Sequence, residues 1–284
     1  MTQKIIALVD GSVYSASVCD HAAWVSIRTG AAVEVLHVLG RREGAGTQDL
    51  SGAIRLGART ALMDELAELD AQRAKLVAHR GRAVLEDAHA ILTKDGVAEI
   101  TTRLRHGDIV ETVAEVEADA GMILIGKRGE AANFAKGHLG SNLERIVRAS
   151  HKPVLVAPRA FKPVETVLIA FDRGVSALRA VDHVAHNPLY DGLAVQIVTV
   201  GSSSGEVEAG LADARSRLKA AGIDAETDII PGQPEKALAK LVEDAGFDLV
   251  VMGAYGHSRI RSLVIGSTTT EMIRSCKVPV VLVR

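Results

Sequence analysis

The sequence predicts an α/β protein built from two tandem, open, five-stranded parallel-sheet domains, each with helices on both faces, packed together as a pseudo-dimer. Three observations predict it. Short, uninterrupted runs of Val, Ile and Leu recur along the chain, which is how strands buried on both faces of a parallel sheet read. Segments of helical periodicity lie between them, so the order is that of βαβ units with right-handed crossovers. Finally, the second half of the chain repeats the first, motif by motif and in the same direction. Two copies make a duplication, since a solenoid needs at least about three units to bury a continuous core.

The first predicted strand, Ile5-Ile6-Ala7-Leu8-Val9, ends on Asp10, and its counterpart, Val167-Leu168-Ile169-Ala170-Phe171, ends on Asp172. Helix-period segments follow, Ser15 to Arg28 in one copy and Ala177 to His186 in the other. The next strands are Val35-Leu36-His37-Val38 and Ile197-Val198-Thr199-Val200. Further helical segments run from Ile109 to Ala118, from Val207 to Ala220 and from Glu235 to Asp244. Met122-Ile123-Leu124-Ile125 then leads into Gly126-x2-Gly129-x10-Gly140-Ser141. Its counterpart, Leu249-Val250-Val251-Met252, leads into Gly253-x2-Gly256-x9-Gly266-Ser267. Each half closes on an apolar strand, Val154 to Ala157 and Val280 to Val283. An exposed apolar edge invites aggregation, so these two strands are candidates for pairing across the interface between halves. The expected arrangement is nonetheless two sheets of the same strand order about an approximate two-fold axis, not one continuous ten-stranded sheet.

The boundary falls at Pro158-Arg159-Ala160-Phe161-Lys162-Pro163, giving domains 1–158 and 164–284. A linker of about six residues spans at most about 20 Å, too short for independent tumbling. The first half carries about thirty-five residues more than the second, all within about 40–96. This surplus opens with a Gly-rich, charged loop from Gly40 to Gly52. It continues as a helical stretch with Leu62, Leu66, Leu69, Leu76, Val84 and Leu85 on related faces. A long helix laid over its own sheet accounts for that stripe, with a partner-binding or dimerising helix as the alternative.

Composition removes several classes of function. With 33 basic and 35 acidic residues, no general field draws the chain to nucleic acid or to an anionic membrane. Aromatic residues are 3% of the total, too few for platforms on which single-stranded bases stack. No apolar run approaches the ~20 residues that span a bilayer, and the start of the chain reads as a strand rather than a signal peptide. A cytoplasmic protein is expected, with Cys19 and Cys276 as reduced, mostly buried thiols. His183-x2-His186 is the best local metal-ligand pair, but no acidic or cysteine ligand accompanies it at short spacing, so no metal site is expected.

A short strand, a glycine-bearing loop and Gly-Ser at a helix start gather free backbone N–H groups and the positive end of a helix dipole, which together suit phosphate. Asp10 and Asp172, at strand ends, can accept hydrogen bonds from a ribose or a base edge, or cap the helices that follow. Gly253 and Gly256 permit close approach of backbone to a ligand, or simply shape a turn. Ser267 serves equally as an N-cap, and Thr268 adds a hydroxyl. Between the last glycines, Arg259 and Arg261 are candidate partners for a terminal phosphate; in the first half Lys127, Arg128 and Lys136 are the counterparts. There is no Walker-type Gly-x4-Gly-Lys-Ser/Thr and no evident base to activate water, so no catalytic residue is assigned.

These residues resemble a tandem universal stress protein, and the resemblance covers nearly the whole chain outside 40–96. The second half matches every fixed position of that family's Gly-x2-Gly-x9-Gly-Ser/Thr motif and its preceding aspartate. The resemblance implies a Rossmann-like fold that binds ATP, with ADP or AMP as alternatives and Mg²⁺ as an admissible companion. Adenine and ribose would lie near the first two strands and phosphates over the glycine loop. It assigns Asp172, Val200, Met252, Gly253, Gly256, Gly266, Ser267 and Thr268 to nucleotide in the second half. In the first half it assigns Asp10, Val38, Ile125, Gly126, Gly129, Gly140, Ser141 and Asn142, there with one extra residue in the loop and Asn142 in place of Thr268. It further implies a nucleotide-dependent stress-response module with an unknown protein partner, at most slow hydrolysis, and an intramolecular pseudo-dimer that also admits a homodimer. The alternatives are an adenine-nucleotide-dependent hydrolase or adenylyl transferase on the same fold, and a receiver-like phosphoacceptor, for which the acidic Mg²⁺ cluster is missing.

Overall fold

The computed structural model describes residues 4–40, 56–129, 140–254 and 267–284, without the side chains of 56–62, 141 and 267. The first half runs β1 (Lys4–Leu8), α1 (Ser15–Thr29), β2 (Val33–Leu39), α2 (Leu56–Lys94), β3 (Ile100–His106), α3 (Ile109–Val116), β4 (Ala120–Gly126), α4 (Ser141–Ala149) and β5 (Val154–Ala157). The second runs β6 (Thr166–Ala170), α5 (Val175–His186), β7 (Ala194–Val200), α6 (Gly205–Ala220), β8 (Ala225–Ile230), α7 (Pro234–Ala245), β9 (Leu249–Gly253), α8 (Ser267–Ser275) and β10 (Val280–Val283).

The strands form one ten-stranded sheet in the order β3-β2-β1-β4-β5-β10-β9-β6-β7-β8. Each half therefore has the same internal order, but the expectation of two separate sheets is corrected. The junction is the antiparallel pair β5 and β10, with Val280 opposite Val156, Val281 opposite Leu155 and Leu282 opposite Val154. That register is what a local two-fold near Leu155 and Val281 produces. The physical cause is the edge problem: both strands are buried along their whole length, and pairing them satisfies two rows of backbone groups at once. The remaining pairs are parallel.

Alternation along the strands divides the core into two layers. Ile5, Ala7 and Val9 face a layer completed by Val18 and Ala22 of α1, Leu85 and Leu92 of α2, Val181 of α5 and Leu211 of α6. Ile6 and Leu8 face the other, with Val113 of α3, Ile146 of α4, Leu238 of α7 and Met272 of α8. Each layer runs through both halves, so the chain has a continuous core on either side of a shared sheet.

Local signals fix the helix ends. Asp108 caps α3 by accepting from the N–H of Val110 at 2.9 Å and of Glu111 at 3.3 Å, and Arg145 of α4 reaches its other oxygen at 2.6 Å. That guanidinium holds the Asp108 carboxyl below the usual range. Ser204 caps α6, whose first turn is acidic and last turn basic, as the helix dipole favours.

α2 departs from the expected long helix laid over the sheet. From Gly81 onward it does cover β2 and β3, with Leu85, Ala88 and Leu92 buried. Between Met63 and Leu76, however, every residue is exposed except the half-buried Leu66. Most of the preceding Gly40 to Gly52 loop lies outside the described residues.

Candidate functional site

In each half the strand order reverses beside the first strand, where β1 and β4, or β6 and β9, diverge at their carboxyl ends. Such a switch point leaves a crevice above the sheet. Asp10 and Asp172 stand two residues beyond the ends of β1 and β6, and the glycine loops leave β4 and β9 beside them.

In the first half these parts converge. A Cβ added to Gly129 would stand 2.8 Å from Asp10 Oδ2, so the carboxylate lies directly over the loop glycine. A Cβ on Gly140, at the start of α4, would lie 3.7 Å from Gly129 N and 3.7 Å from Arg128 Cα. The aspartate, the first glycines of the loop and a helix N-terminus thus come to one place. Asp10 is itself held in a turn. Its Oδ1 accepts from the N–H of Ser12 at 2.9 Å and from Ser15 Oγ at 3.3 Å, while Ser15 Oγ accepts from the N–H of Asp10 and of Gly11. The turn uses Oδ1, and Oδ2 lies toward Gly129. Ile125 is buried at the end of β4, Val38 is half-buried at the end of β2, and Asn142 lies in the first turn of α4.

The second half repeats the frame. Asp172 Oδ1 accepts from the N–H of Gly174 at 2.8 Å, closing a turn in which Arg173 adopts a positive φ of 65°. A Cβ on Gly253 would meet Ser176 Oγ at 2.5 Å and Ala177 N at 2.9 Å, so this glycine is the condition for α5 to start against the end of β9. Gly126 bears the same relation to Tyr14, four residues after Asp10 as Ser176 is four after Asp172, with a distance of 2.7 Å to Tyr14 Cβ. Met252 is buried and Val200 half-buried. Thr268 is half-buried in the first turn of α8, and the neighbouring Thr269 donates to Ala254 O at 3.3 Å, tying that helix back to the loop. Gly256, Gly266, Tyr255, His257, Arg259, Arg261 and Lys136 lie outside the described residues, as do the side chains of Ser141 and Ser267.

One candidate phosphate partner is redirected. Lys127 Nζ donates to Cys276 O at 2.9 Å, at the carboxyl end of α8 in the other half. Its partly buried ammonium thus neutralises orphan carbonyl charge at a helix end, and burial lowers its pKa. The metal-ligand pair is likewise split. His183 packs edge-on against the Tyr190 ring at 5.5 Å, and burial pushes its pKa down to about 4. His186 instead engages Asp182 O at 2.8 Å. Both cysteines are buried free thiols, pushed up to about 12 for Cys19 and about 11 for Cys276 by desolvation.

Two positioning residues escaped the sequence reading. Buried His37 meets Val9 O through Nδ1 at 2.7 Å, and buried Thr199 donates to Phe171 O at 2.8 Å. Each fixes the peptide just ahead of a candidate aspartate, where the strands begin to part. The available signal was one polar residue at matching positions in two otherwise apolar runs, His37-Val38 and Thr199-Val200.

Comparison with known proteins agrees with this architecture. The sequence profile of the universal stress protein family matches residues 1–158 and again 163–284. A universal stress protein of Synechocystis sp. is 36% identical over 286 aligned positions, which cover 99% of this chain and 100% of that one. One from Mycobacterium tuberculosis is 24% identical, over 76% of this chain and 78% of its own. Among solved structures, a universal stress protein from Archaeoglobus fulgidus superposes with a TM-score of 0.73 at 21% identity, covering 99% of this chain and 96% of that one, a likeness of fold. A matched duplication, the same strand order twice and two profile matches end to end place this chain in the universal stress protein family.

Proposed function

We propose that the chain is a cytoplasmic, adenine-nucleotide-binding stress-response module with domains at 1–158 and 164–284, in which ATP occupancy sets conformation or partner binding. The observation that carries this reading is the convergence of Asp10, Gly129 and Gly140, with the carboxylate 2.8 Å from where a Gly129 side chain would begin. A carboxylate for ribose or base, next to a loop glycine and a helix N-terminus for phosphate, is the chemistry of a nucleotide. The second half carries the same strand-end aspartate and a loop of the family's spacing, Gly253-x2-Gly256-x9-Gly266, so it is assigned the tighter site. The sequence there offers backbone amides and hydroxyls for phosphates and no evident base, so hydrolysis slower than about 0.1 s⁻¹ is expected.

The experiment is calorimetric titration of the purified protein with ATP, ADP and AMP, with and without Mg²⁺, after mass spectrometry of any ligand carried through purification. Gly266→Val and Asp172→Ala should each abolish binding in the second half with a native circular dichroism spectrum, and Gly140→Val should cost less than Gly266→Val. Normal binding by both second-half variants, or turnover at tens per second, would refute the switch reading in favour of a mere turn or of an enzyme.

A further inference from the structure

We infer that Arg173 is a positioning residue of the candidate nucleotide site in the second half, bracing against α6 the turn that presents Asp172. The inference rests on the nucleotide reading of that site. Its first support is an exchange between the halves. Asp10 and Asp172 correspond, so Gly11 and Arg173 do as well. α2 and α6 end alike: Leu92 and Leu218 are each followed by a glycine of positive φ, Gly96 at 86° and Gly222 at 85°, so Val84 corresponds to Gly210. In the first half a Cβ on Gly11 would stand 2.8 Å from Val84 Cγ2. In the second, a Cβ on Gly210 would stand 3.0 Å from Arg173 Cδ and 3.1 Å from its Cγ. The gap between turn and helix is thus filled in both halves, by a helix side chain in one and by a turn side chain in the other.

The second support is the backbone. Gly11 has a φ of 76° and Arg173 one of 65°, and Arg173 is the one non-glycine residue with a positive φ among the described residues. A side chain is disfavoured in that region, so local preference selects glycine, as in the first half. The ion pair of Arg173 does not account for the exception. Its Nη1 lies 3.5 Å from Glu206 Oε2, and that glutamate side chain is 90% exposed, so the pair contributes little. What the arginine adds is its stem, laid along α6.

The third support is what the stem flanks. A Cβ on Gly210 would also lie 3.8 Å from Phe171 Cε1, so the residues before and after Asp172 both rest on α6 at Gly210. Thr199 holds Phe171 O from β7, and the N–H of Gly174 holds Asp172 Oδ1. With Arg173 in place, the aspartate is held from both sides and its carboxylate is oriented before a ligand arrives. With glycine there and the gap empty, one side loses its support, and ordering the turn has to accompany binding. The guanidinium head is turned to Glu206, so Arg173 acts through Asp172.

The test is calorimetric titration of the full chain with adenosine and with ATP, in a Gly140→Val background that obstructs the first-half site. Arg173→Gly should weaken both ligands by the same factor, about tenfold, because the contact disturbed is to the nucleoside. Its denaturation midpoint should hold or rise, since relief of the strained φ offsets the packing lost. Arg173→Met keeps an unbranched stem on Gly210 and should bind within about threefold of the background. Arg173→Gly with Gly210→Val rebuilds the pairing of Gly11 with Val84 and should recover affinity to within about threefold. Unchanged binding by Arg173→Gly, a loss for ATP without one for adenosine, a midpoint that falls along with affinity, or no recovery in the double variant would each overturn the inference. A wild type that binds neither ligand refutes the nucleotide reading itself, and the inference with it. Binding by the wild type that Arg173→Gly leaves intact refutes the inference alone.

Discussion

Replacing Gly253 and Gly129 by alanine, one at a time, separates two uses of glycine at the paired sites. At Gly253 the new Cβ would stand 2.5 Å from Ser176 Oγ, 2.9 Å from Ala177 N and 2.9 Å from Ser176 C. Two of those atoms are backbone in the first turn of α5, so relief means moving a helix that packs on β9 and β10. Overpacking of that kind costs about 1–3 kcal/mol. At Gly129 the one atom within reach among the described residues is Asp10 Oδ2, 2.8 Å away. A carboxylate can swing aside, weakening its bond from the Ser12 N–H at a cost of about 0.5–1.5 kcal/mol. Gly253→Ala should therefore lower the denaturation midpoint clearly, at unchanged slope. Gly129→Ala should lower it less, yet weaken nucleotide binding in the first half by moving the carboxylate. Denaturant unfolding and calorimetry on the same preparations measure both effects. A Gly253→Ala protein within about 0.5 kcal/mol of wild type, or one more stable than Gly129→Ala, would refute the reasoning.

His37→Phe and Thr199→Val each strip the partner from a strand-end carbonyl, so each should cost about 1–3 kcal/mol in a denaturant titration; unchanged midpoints would remove these residues from the frame. Lys127→Met should leave nucleotide affinity within about twofold, because its ammonium serves Cys276 O, and a tenfold loss would return the lysine to the phosphate. Acid sensitivity follows from His21 and His183, both pushed down by burial from 6.5 to about 4. The unfolded chain takes up these protons first as pH falls, so their contribution to stability is lost between about pH 6.5 and about pH 4. His21→Leu should reduce that slope by about one proton, and a slope identical to wild type would show that His21 titrates normally.

The parts legible in the sequence were those in which one physical demand dominates. Strands buried on both faces appear as apolar runs, which is why β1, β4, β6, β9 and the two final strands could be placed. The outer strands carry no such run: β3 reads Ile-Thr-Thr-Arg-Leu-Arg-His and β8 Ala-Glu-Thr-Asp-Ile-Ile, because each lies at an end of the sheet with much of its surface in solvent. Their number followed from the fold, but their positions did not. The Val-rich final strands announced a shared edge, whereas the continuity of the sheet depended on register, which no single strand encodes. At the candidate sites, spacing alone brought Asp10 to Gly129 and Gly140. It could not show Lys127 turning toward the other half, since a lysine in a glycine loop reads the same whichever way it points.

The fusion of two halves through β5 and β10 has a consequence for the symmetry of the molecule. In a symmetric pair of separate single-domain chains, any insertion occurs twice, once on each side of the axis. A long helix such as α2 would then stand at both ends. Joining the halves in one polypeptide breaks that equivalence, because α2 has 39 residues where its counterpart between β7 and β8, α6, has 16. One continuous sheet thus has two unlike ends, a long helix packed on β3 and a short one on β8.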